Sequence, residues 1–212
     1  MSLPGARPLL IAFGAAATVD LVSLLAGWHT GHLVAKPLLM PLLAAYTHRR
    51  GGPPLLVAAL LLGWGGDVLL LSGADAAFLA GMGCFAAGHV CYLVLSGRGS
   101  AARGRRAAYG IGVLYGVALL GTVAALWGDL PADMRVPVAA YSLLLTAMAW
   151  RSGRRGLCAG LGGALFLLSD TLIATGVADW PQLPRPDFWI MLTYLGAQTL
   201  LARAYRESRT SV

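Results

Sequence analysis

The chain has 212 residues, of which 58% are hydrophobic and only 12% are charged. Because soluble domains carry about 25% charged residues, this composition excludes an ordinary soluble protein and predicts an all-α, polytopic membrane protein. The chain has an excess of positive charge, with sixteen Lys and Arg against nine Asp and Glu. This excess does not predict nucleic-acid binding, because the cytoplasmic loops of membrane proteins are rich in Lys and Arg.

Eight apolar segments predict eight transmembrane helices in a single domain over residues 1–212. A helix needs roughly 20 apolar residues to cross a bilayer. The first segment is long for a signal peptide and no cleavage motif follows it, so we expect an anchoring helix. The second and sixth are short, and the second contains Pro37 and Pro41. In chain order the segments are 8–27, 33–47, 54–72, 76–96, 107–128, 135–150, 156–177 and 187–204.

Arginine residues distinguish the two sides of this bundle. Most lie before segment 1 or after segments 2, 4, 6 and 8, whereas the opposite connections hold only Arg135 and Arg185. The positive-inside rule therefore predicts that both termini are cytoplasmic. The Ala-, Gly- and Arg-rich composition is typical of a bacterial chain, so we expect the bacterial cytoplasmic (inner) membrane as its location. The residues on the cytoplasmic side are Arg7, Arg49, Arg50, Arg98, Arg103, Arg105, Arg106, Arg151, Arg154, Arg155, Arg203, Arg206 and Arg209.

Two aspartates, Asp67 and Asp170, lie inside apolar segments. A carboxylate within the bilayer is costly unless it is paired, protonated or hydrated, so such a residue is a functional candidate by default. Asp20 in segment 1 and Lys36 in segment 2 lie at a similar depth, roughly 6–11 Å from the outer boundary at 1.5 Å per residue. We therefore expect the four groups to form one cluster. The alternative for Lys36 is that its ammonium extends to the interface.

Further polar and aromatic side chains occupy helix faces in segments 4, 6 and 8. In segment 4 they recur at spacings of three and four residues, which places them on one face. Each also has a structural explanation, as a buried neutral imidazole, a satisfied hydroxyl or a core ring. The residues are Phe78, Gly81, Phe85, His89 and Tyr92 in segment 4, Tyr141 in segment 6, and Tyr194 and Gln198 in segment 8.

The two halves of the chain follow a similar plan. Asp67 in segment 3 corresponds to Asp170 in segment 7, and segments 2 and 6 are both short. This pattern predicts a parallel repeat of two four-helix halves, and matching short segments point to a binding site between them. The three cysteines, Cys84, Cys91 and Cys158, have no metal-ligand spacing, so neither a metal site nor a disulfide framework is expected.

In this order and spacing, these residues resemble the YhhN-like family of integral membrane proteins, which includes the lysoplasmalogenases. The resemblance extends from segment 2 to segment 8, and Asp20 is not part of it. The matching pieces are Lys36-Pro37, Gly66-Asp67, Phe78-x-x-Gly81-x-x-x-Phe85-x-x-x-His89-x-x-Tyr92, Tyr141, Gly163-Ala164-x-Phe166-x-x-Ser169-Asp170 and Tyr194-x-x-x-Gln198.

The resemblance implies an eight-helix hydrolase without a cofactor that cleaves the vinyl ether bond of lysoplasmalogens. The products would be a fatty aldehyde and glycerophospho-ethanolamine or -choline. Cleavage needs an acid that protonates the β-carbon and an anion that guides water, and two carboxyls can supply both. Asp67 and Asp170 would be this pair, in an order that the sequence leaves open, and Lys36 would pair with a carboxylate or the substrate phosphate. Lining residues would be His89, Tyr92, Tyr141, Tyr194 and Gln198.

A different class of protein carries the same features. Proton-coupled transporters and lipid carriers also have ionisable residues within their spans and matched short helices. Activity in detergent separates the two classes, because hydrolysis survives the loss of the bilayer and vectorial transport does not. A purely structural lipid-packing protein is the third alternative, and it leaves the intramembrane charges without a role.

Overall fold

A computed structural model describes residues 5–97 and 105–207, and every regular element within these ranges is an α-helix. This confirms the all-α class. Arg98, Arg103 and Arg209, which we assign to the cytoplasmic side, lie outside the described residues. The helices are α1 (Ala6–Ala26), α2 (His29–Arg49), α3 (Pro54–Leu70), α4 (Asp75–Gly97), α5 (Arg105–Leu126), α6 (Ala132–Gly153), α7 (Leu157–Val177) and α8 (Pro186–Glu207).

Helices α2 and α6 are longer than the sequence predicts. They have 21 and 22 residues, and the prediction that they are short is wrong. Pro37 and Pro41 lie inside α2, and Pro137 lies inside α6, without ending either helix. Membrane helices tolerate such prolines because neighbouring groups satisfy the backbone atoms that a proline leaves unbonded. Matching short helices therefore no longer point to a binding site.

Four of the described helices are long and apolar enough to cross a membrane. They are α1, α4, residues Tyr109–Leu126 of α5, and α7, while α3 is apolar but has only 17 residues. These helices are typical of a multi-pass membrane protein. That all eight helices cross the bilayer stays a prediction.

The chain divides into two compact units. The first comprises Met1–Leu95 with Ala202–Val212, and the second comprises Ser96–Leu201. The first unit thus contains α1 to α3, nearly all of α4 and the end of α8. The second contains α5, α6, α7 and most of α8. The division falls near the boundary between the predicted halves, while the parallel repeat stays a prediction.

In the first unit, α3 and α4 pack closely through glycine residues. A Cβ atom at Gly66 would lie 2.5 Å from Cε2 of Phe85, so the phenyl ring requires a glycine there. A Cβ at Gly81 would lie 3.3 Å from the carbonyl oxygen of Gly66. Small residues allow helix backbones to approach within a membrane, where van der Waals packing drives association. The packing of these motif residues fixes the turn of α3 that carries Asp67.

Helices α1 and α2 meet at a tight corner in the same unit. Gly27 adopts the left-handed conformation with φ of 70°, and the amide of Trp28 donates to the carbonyl of Ser23 at 2.8 Å. A side chain at Gly31 would overlap Ser23 and the indole of Trp28. The corner is therefore close-packed on both sides of the turn.

In the second unit, α7 packs on α6 and α8 through adjacent glycines. A Cβ at Gly163 would lie 2.8 Å from Cα of Ala149 on α6. A Cβ at Gly162 would lie 3.2 Å from the carbonyl oxygen of Ala197 on α8. These two contacts define which face of α7 each neighbouring helix covers.

Candidate active site

The carboxylate of Asp170 is bound by a tyrosine of the neighbouring helix. The hydroxyl of Tyr141 on α6 donates a hydrogen bond to Oδ2 of Asp170 on α7. Asp170 lies seven residues after Gly163, so both residues share the face of α7 that packs on α6. The glycine contact thus explains locally why the two side chains meet. The structure joins two predicted site residues here.

The predicted face of α8 also forms a hydrogen-bonded group. Nε2 of Gln198 donates to the hydroxyl oxygen of Tyr194 at 3.1 Å. The ring of Phe166 on α7 meets the ring of Tyr194 edge to face, with centroids 5.5 Å apart. Next to Asp170, the hydroxyl of Ser169 donates to the carbonyl of Ile190 at 3.0 Å. Within the second unit, the turn of α7 that carries Asp170 is therefore contacted by α6 on one side and by α8 on another.

In the first unit, the predicted site residues of α3 and α4 are almost fully buried. Asp67 is 2% exposed, and His89 and Tyr92 are each 1% exposed. The ring of Tyr92 stacks on that of Tyr205, with centroids 5.8 Å apart. Tyr205 was not among the predicted site residues, because it follows the predicted end of segment 8 at residue 204. Its distance of 11 residues from Tyr194, three helical turns, is a signal that could have identified it.

Lys36 lies half-buried on α2, beside a contact between α2 and α3. The indole Nε1 of Trp64 on α3 donates to the backbone carbonyl of Pro37 at 2.9 Å. Among the described residues, no ion pair of the Lys36 ammonium is seen. The pairing of Lys36 with a carboxylate therefore stays a prediction.

Asp20 makes a contact with His32 that was not predicted from the sequence. Its Oδ1 lies 2.8 Å from Nδ1 of His32 on α2, and the Asp20 side chain is fully buried. We expected Asp20 to join the cluster of Lys36, Asp67 and Asp170. Asp20 lies seven residues before Gly27 and His32 lies five residues after it, so the turn of the hairpin brings the two positions near each other.

No group of three His, Cys, Asp or Glu within residues 5–97 and 105–207 could hold a metal ion. Cys84, Cys91 and Cys158 are free thiols.

Long apolar helices with buried acidic side chains among them are typical of a multi-pass membrane protein. The chain belongs to the YhhN family, whose model matches residues 31–205. This confirms the resemblance seen in the sequence. The match begins within α2, so α1 and Asp20 precede it.

Curated relatives of the chain carry the name lysoplasmalogenase TMEM86B. The protein of Sus scrofa is 37% identical over 161 residues, which cover 72% of this chain and 64% of the relative. The protein of Homo sapiens is 36% identical over 158 residues, covering 71% and 63%. The protein of Rattus norvegicus is 32% identical over 183 residues, covering 82% and 72%. The chain thus spans less than two thirds of the first two relatives. No solved structure matches it.

Proposed function

We propose that this protein hydrolyses the vinyl ether bond of lysoplasmalogens, the 1-alkenyl-glycerophospho-ethanolamine or -choline lipids. Membership of the YhhN family and the lysoplasmalogenase names of its relatives support the activity. The observation that carries the chemistry is the bond from Tyr141 to Asp170 within apolar helices. A second carboxyl, that of Asp67, is 2% exposed.

The proposed reaction uses these carboxyls as an acid–base pair. One carboxylic acid protonates the β-carbon of the vinyl ether, which gives an oxocarbenium ion. A water molecule adds its oxygen to that ion while the other carboxylate takes its proton. The hemiacetal then releases the aldehyde and the glycerol hydroxyl, so one water is consumed. Two carboxyl groups in different environments divide acid and base roles in this way in glycosidases.

Asp170 accepts a hydrogen bond from Tyr141, which orients its carboxyl group. A carboxyl held in this way is suited to positioning water or to delivering a proton. Asp67, buried on α3, is the proposed other member of the pair.

The remaining predicted residues would bind the substrate. Lys36 would attract a carboxylate or the phosphate of the lysolipid, and its half-buried position on α2 leaves both roles available. A long alkenyl chain would lie against the apolar helices. The residues proposed to line the site are His89, Tyr92, Tyr141, Tyr194 and Gln198.

The membrane arrangement belongs to the same proposal. We propose a single domain in which eight helices cross the bacterial cytoplasmic membrane and both termini are cytoplasmic. The excess of Arg after even-numbered helices supports this arrangement.

The direct test is hydrolysis by purified protein in detergent. Incubation with a 1-alkenyl lysolipid should release fatty aldehyde, and the matched 1-acyl lysolipid should release none. Heat-treated protein is the blank, and Asp67→Asn and Asp170→Asn are the catalytic controls. Release of fatty acid from the acyl lipid with no aldehyde from the alkenyl lipid would contradict the proposal.

A proton-coupled transporter or lipid carrier is the second candidate. The observation that favours it is the pair of Asp20 and His32, a buried ionisable site that the proposed hydrolysis does not use. Protein in closed vesicles should then move lysolipid in response to a pH gradient. Aldehyde release in detergent without any gradient would contradict a purely vectorial role.

A further inference from the structure

Pro41 removes a backbone donor from the middle of α2. In an α-helix the carbonyl of each residue accepts from the amide four residues later. Proline has no amide hydrogen, so the carbonyl of Pro37 loses its partner at position 41. Helix α2 nevertheless continues from His29 to Arg49. Nε1 of Trp64 on α3 supplies the missing donor, at 2.9 Å.

This bond connects two turns that carry proposed site residues. Lys36 immediately precedes Pro37 on α2, and Asp67 follows Trp64 by three residues on α3. Residues three apart are neighbours on one helix surface. The bond therefore joins the turn that carries Lys36 to the turn that carries Asp67. Both turns lie within the first unit.

The hydrogen bond, rather than burial, distinguishes Trp64 from other apolar residues on α3. Its side chain is 39% exposed, so much of the indole lies outside the packed interior. A carbonyl without a donor is costly where the surroundings are lipid, because no water replaces the lost bond. A tryptophan here satisfies the carbonyl and fixes the position of α3 along α2 by the same contact.

We propose that Trp64 is a positioning residue for the reaction, which holds Lys36 and Asp67 in register through the Pro37 carbonyl. The proposal rests on the hydrolase function proposed above. The competing explanation is that Trp64 only stabilises α2. A third explanation is that its ring is an aromatic anchor in the lipid, a role that phenylalanine would also fill.

The test combines Trp64→Phe with Pro41→Ala. Trp64→Phe keeps an aromatic ring but removes the indole donor, so it should lower both the melting temperature and kcat. Small displacements of reacting groups can cost about 100-fold in rate, so we expect a loss in kcat of about 10- to 100-fold. Adding Pro41→Ala supplies an amide to the Pro37 carbonyl from within α2. The double variant should recover its melting temperature but not its kcat, since the connection to α3 stays broken.

Pro37→Ala is the matched control for this rescue. It restores an amide at position 37, whose partner is the carbonyl of Leu33, and leaves the carbonyl of residue 37 without a helical donor. Pro37→Ala should therefore not rescue the melting temperature of Trp64→Phe. Rescue by both proline variants would overturn the assigned bond.

The outcomes separate this proposal from the proposed function. A wild-type protein that releases no aldehyde overturns the hydrolase function and the positioning role with it. A wild-type protein that is active, with kcat unchanged in Trp64→Phe or restored together with stability in the double variant, overturns the positioning role alone. If Trp64→Phe does not fold, the melting temperature and kcat of the double variant still test the positioning role.

Discussion

His32 and Asp20 join α1 to α2 through a contact of 2.8 Å between Nδ1 and Oδ1. The Asp20 side chain is fully buried and the His32 side chain is 12% exposed. Oδ2 of Asp20 has no hydrogen-bond partner among the described residues. The buried residues of α1 include Phe13 and Asp20, which are seven positions apart and therefore lie on the same face of the helix. Asp20 thus lies on the buried face of α1. The contact connects α2 to α1, which precedes the part of the chain matched by the family model.

We expect Asp20→Ala to destabilise the protein strongly. Breaking a buried pair leaves an uncompensated polar group and costs about 3–5 kcal/mol, whereas replacing both partners by apolar residues is often neutral. Asp20→Leu with His32→Leu should therefore melt closer to the wild type than Asp20→Ala. Thermal melting in detergent measures this, and Thr18→Val on the exposed face of α1 is the control. Equal melting of Asp20→Ala and wild type would contradict a structural pair.

Tyr141→Phe should reduce turnover while leaving the packing of α6 and α7 intact. The change removes the hydroxyl that donates to Asp170 and keeps the ring. A hydrogen bond to a charged group contributes about 1.5–3 kcal/mol, so kcat should fall about 10- to 150-fold. Tyr109→Phe is the control, because that tyrosine is 68% exposed. A wild-type kcat in Tyr141→Phe would mean that Asp170 does not need this donor.

The positions of most helices follow from the sequence because long apolar runs mark them. The prediction misplaces the ends of α2 and α6, where polar and charged residues interrupt the apolar run but the helix continues. The family pattern includes Asp170 and Tyr141. Their hydrogen bond was not predicted, because the spacing of residues on separate helices does not show which side chains meet.

Contacts that depend on packing were missed for the same reason. The carbonyl of Pro37 could accept from many donors, and only the packing of α3 on α2 selects Trp64. The pair of Asp20 and His32 depends on where the hairpin turns, at Gly27, rather than on depth in the membrane. Depth groups residues into a layer, but it does not determine which of them are in contact.

Lys36→Met should damage folding or activity more than Lys36→Arg. If the ammonium compensates an intramembrane carboxylate, its removal costs about 3–5 kcal/mol, and arginine keeps the charge. Melting temperature and aldehyde release report the two effects. Arg185→Met, in the connection between α7 and α8, is the control for loss of a positive charge. If Lys36→Met has the yield and rate of the wild type, Lys36 is instead a side chain that extends to the interface.

Reporter fusions test the eight-span arrangement. Reporters active in the cytoplasm should be active after Arg50, Arg106 and Arg155, because arginine-rich connections are retained on that side. A reporter inserted within residues 178–186, between α7 and α8, should behave as external. Each fusion site is measured with a reporter that is active in the cytoplasm and with one that is active outside, so each reporter is the control for the other. An external signal after Arg106 would require a different number of spans.

Asp67→Asn and Asp170→Asn should each insert and fold normally and lose most turnover. Asparagine has nearly the shape of aspartate and can form hydrogen bonds, but it neither donates a carboxylic proton nor acts as a comparable base. Positioned acid–base catalysis contributes about 10²–10⁴-fold, so each kcat should fall by that order. Residues that act as a unit are not additive, and the double variant should be scarcely slower than either single variant.

Two controls distinguish chemistry from structure in these variants. Asp187→Asn, in the first turn of α8, changes a carboxyl outside the proposed site and should leave kcat unchanged. Asp20→Asn should lose less turnover than either catalytic variant, because the proposed reaction does not use Asp20. Melting temperatures of both catalytic variants should stay near that of the wild type. If Asp67→Asn kept wild-type turnover in detergent, Asp67 would be a structural residue, and the buried imidazole of His89 would become the next candidate for the proton donor.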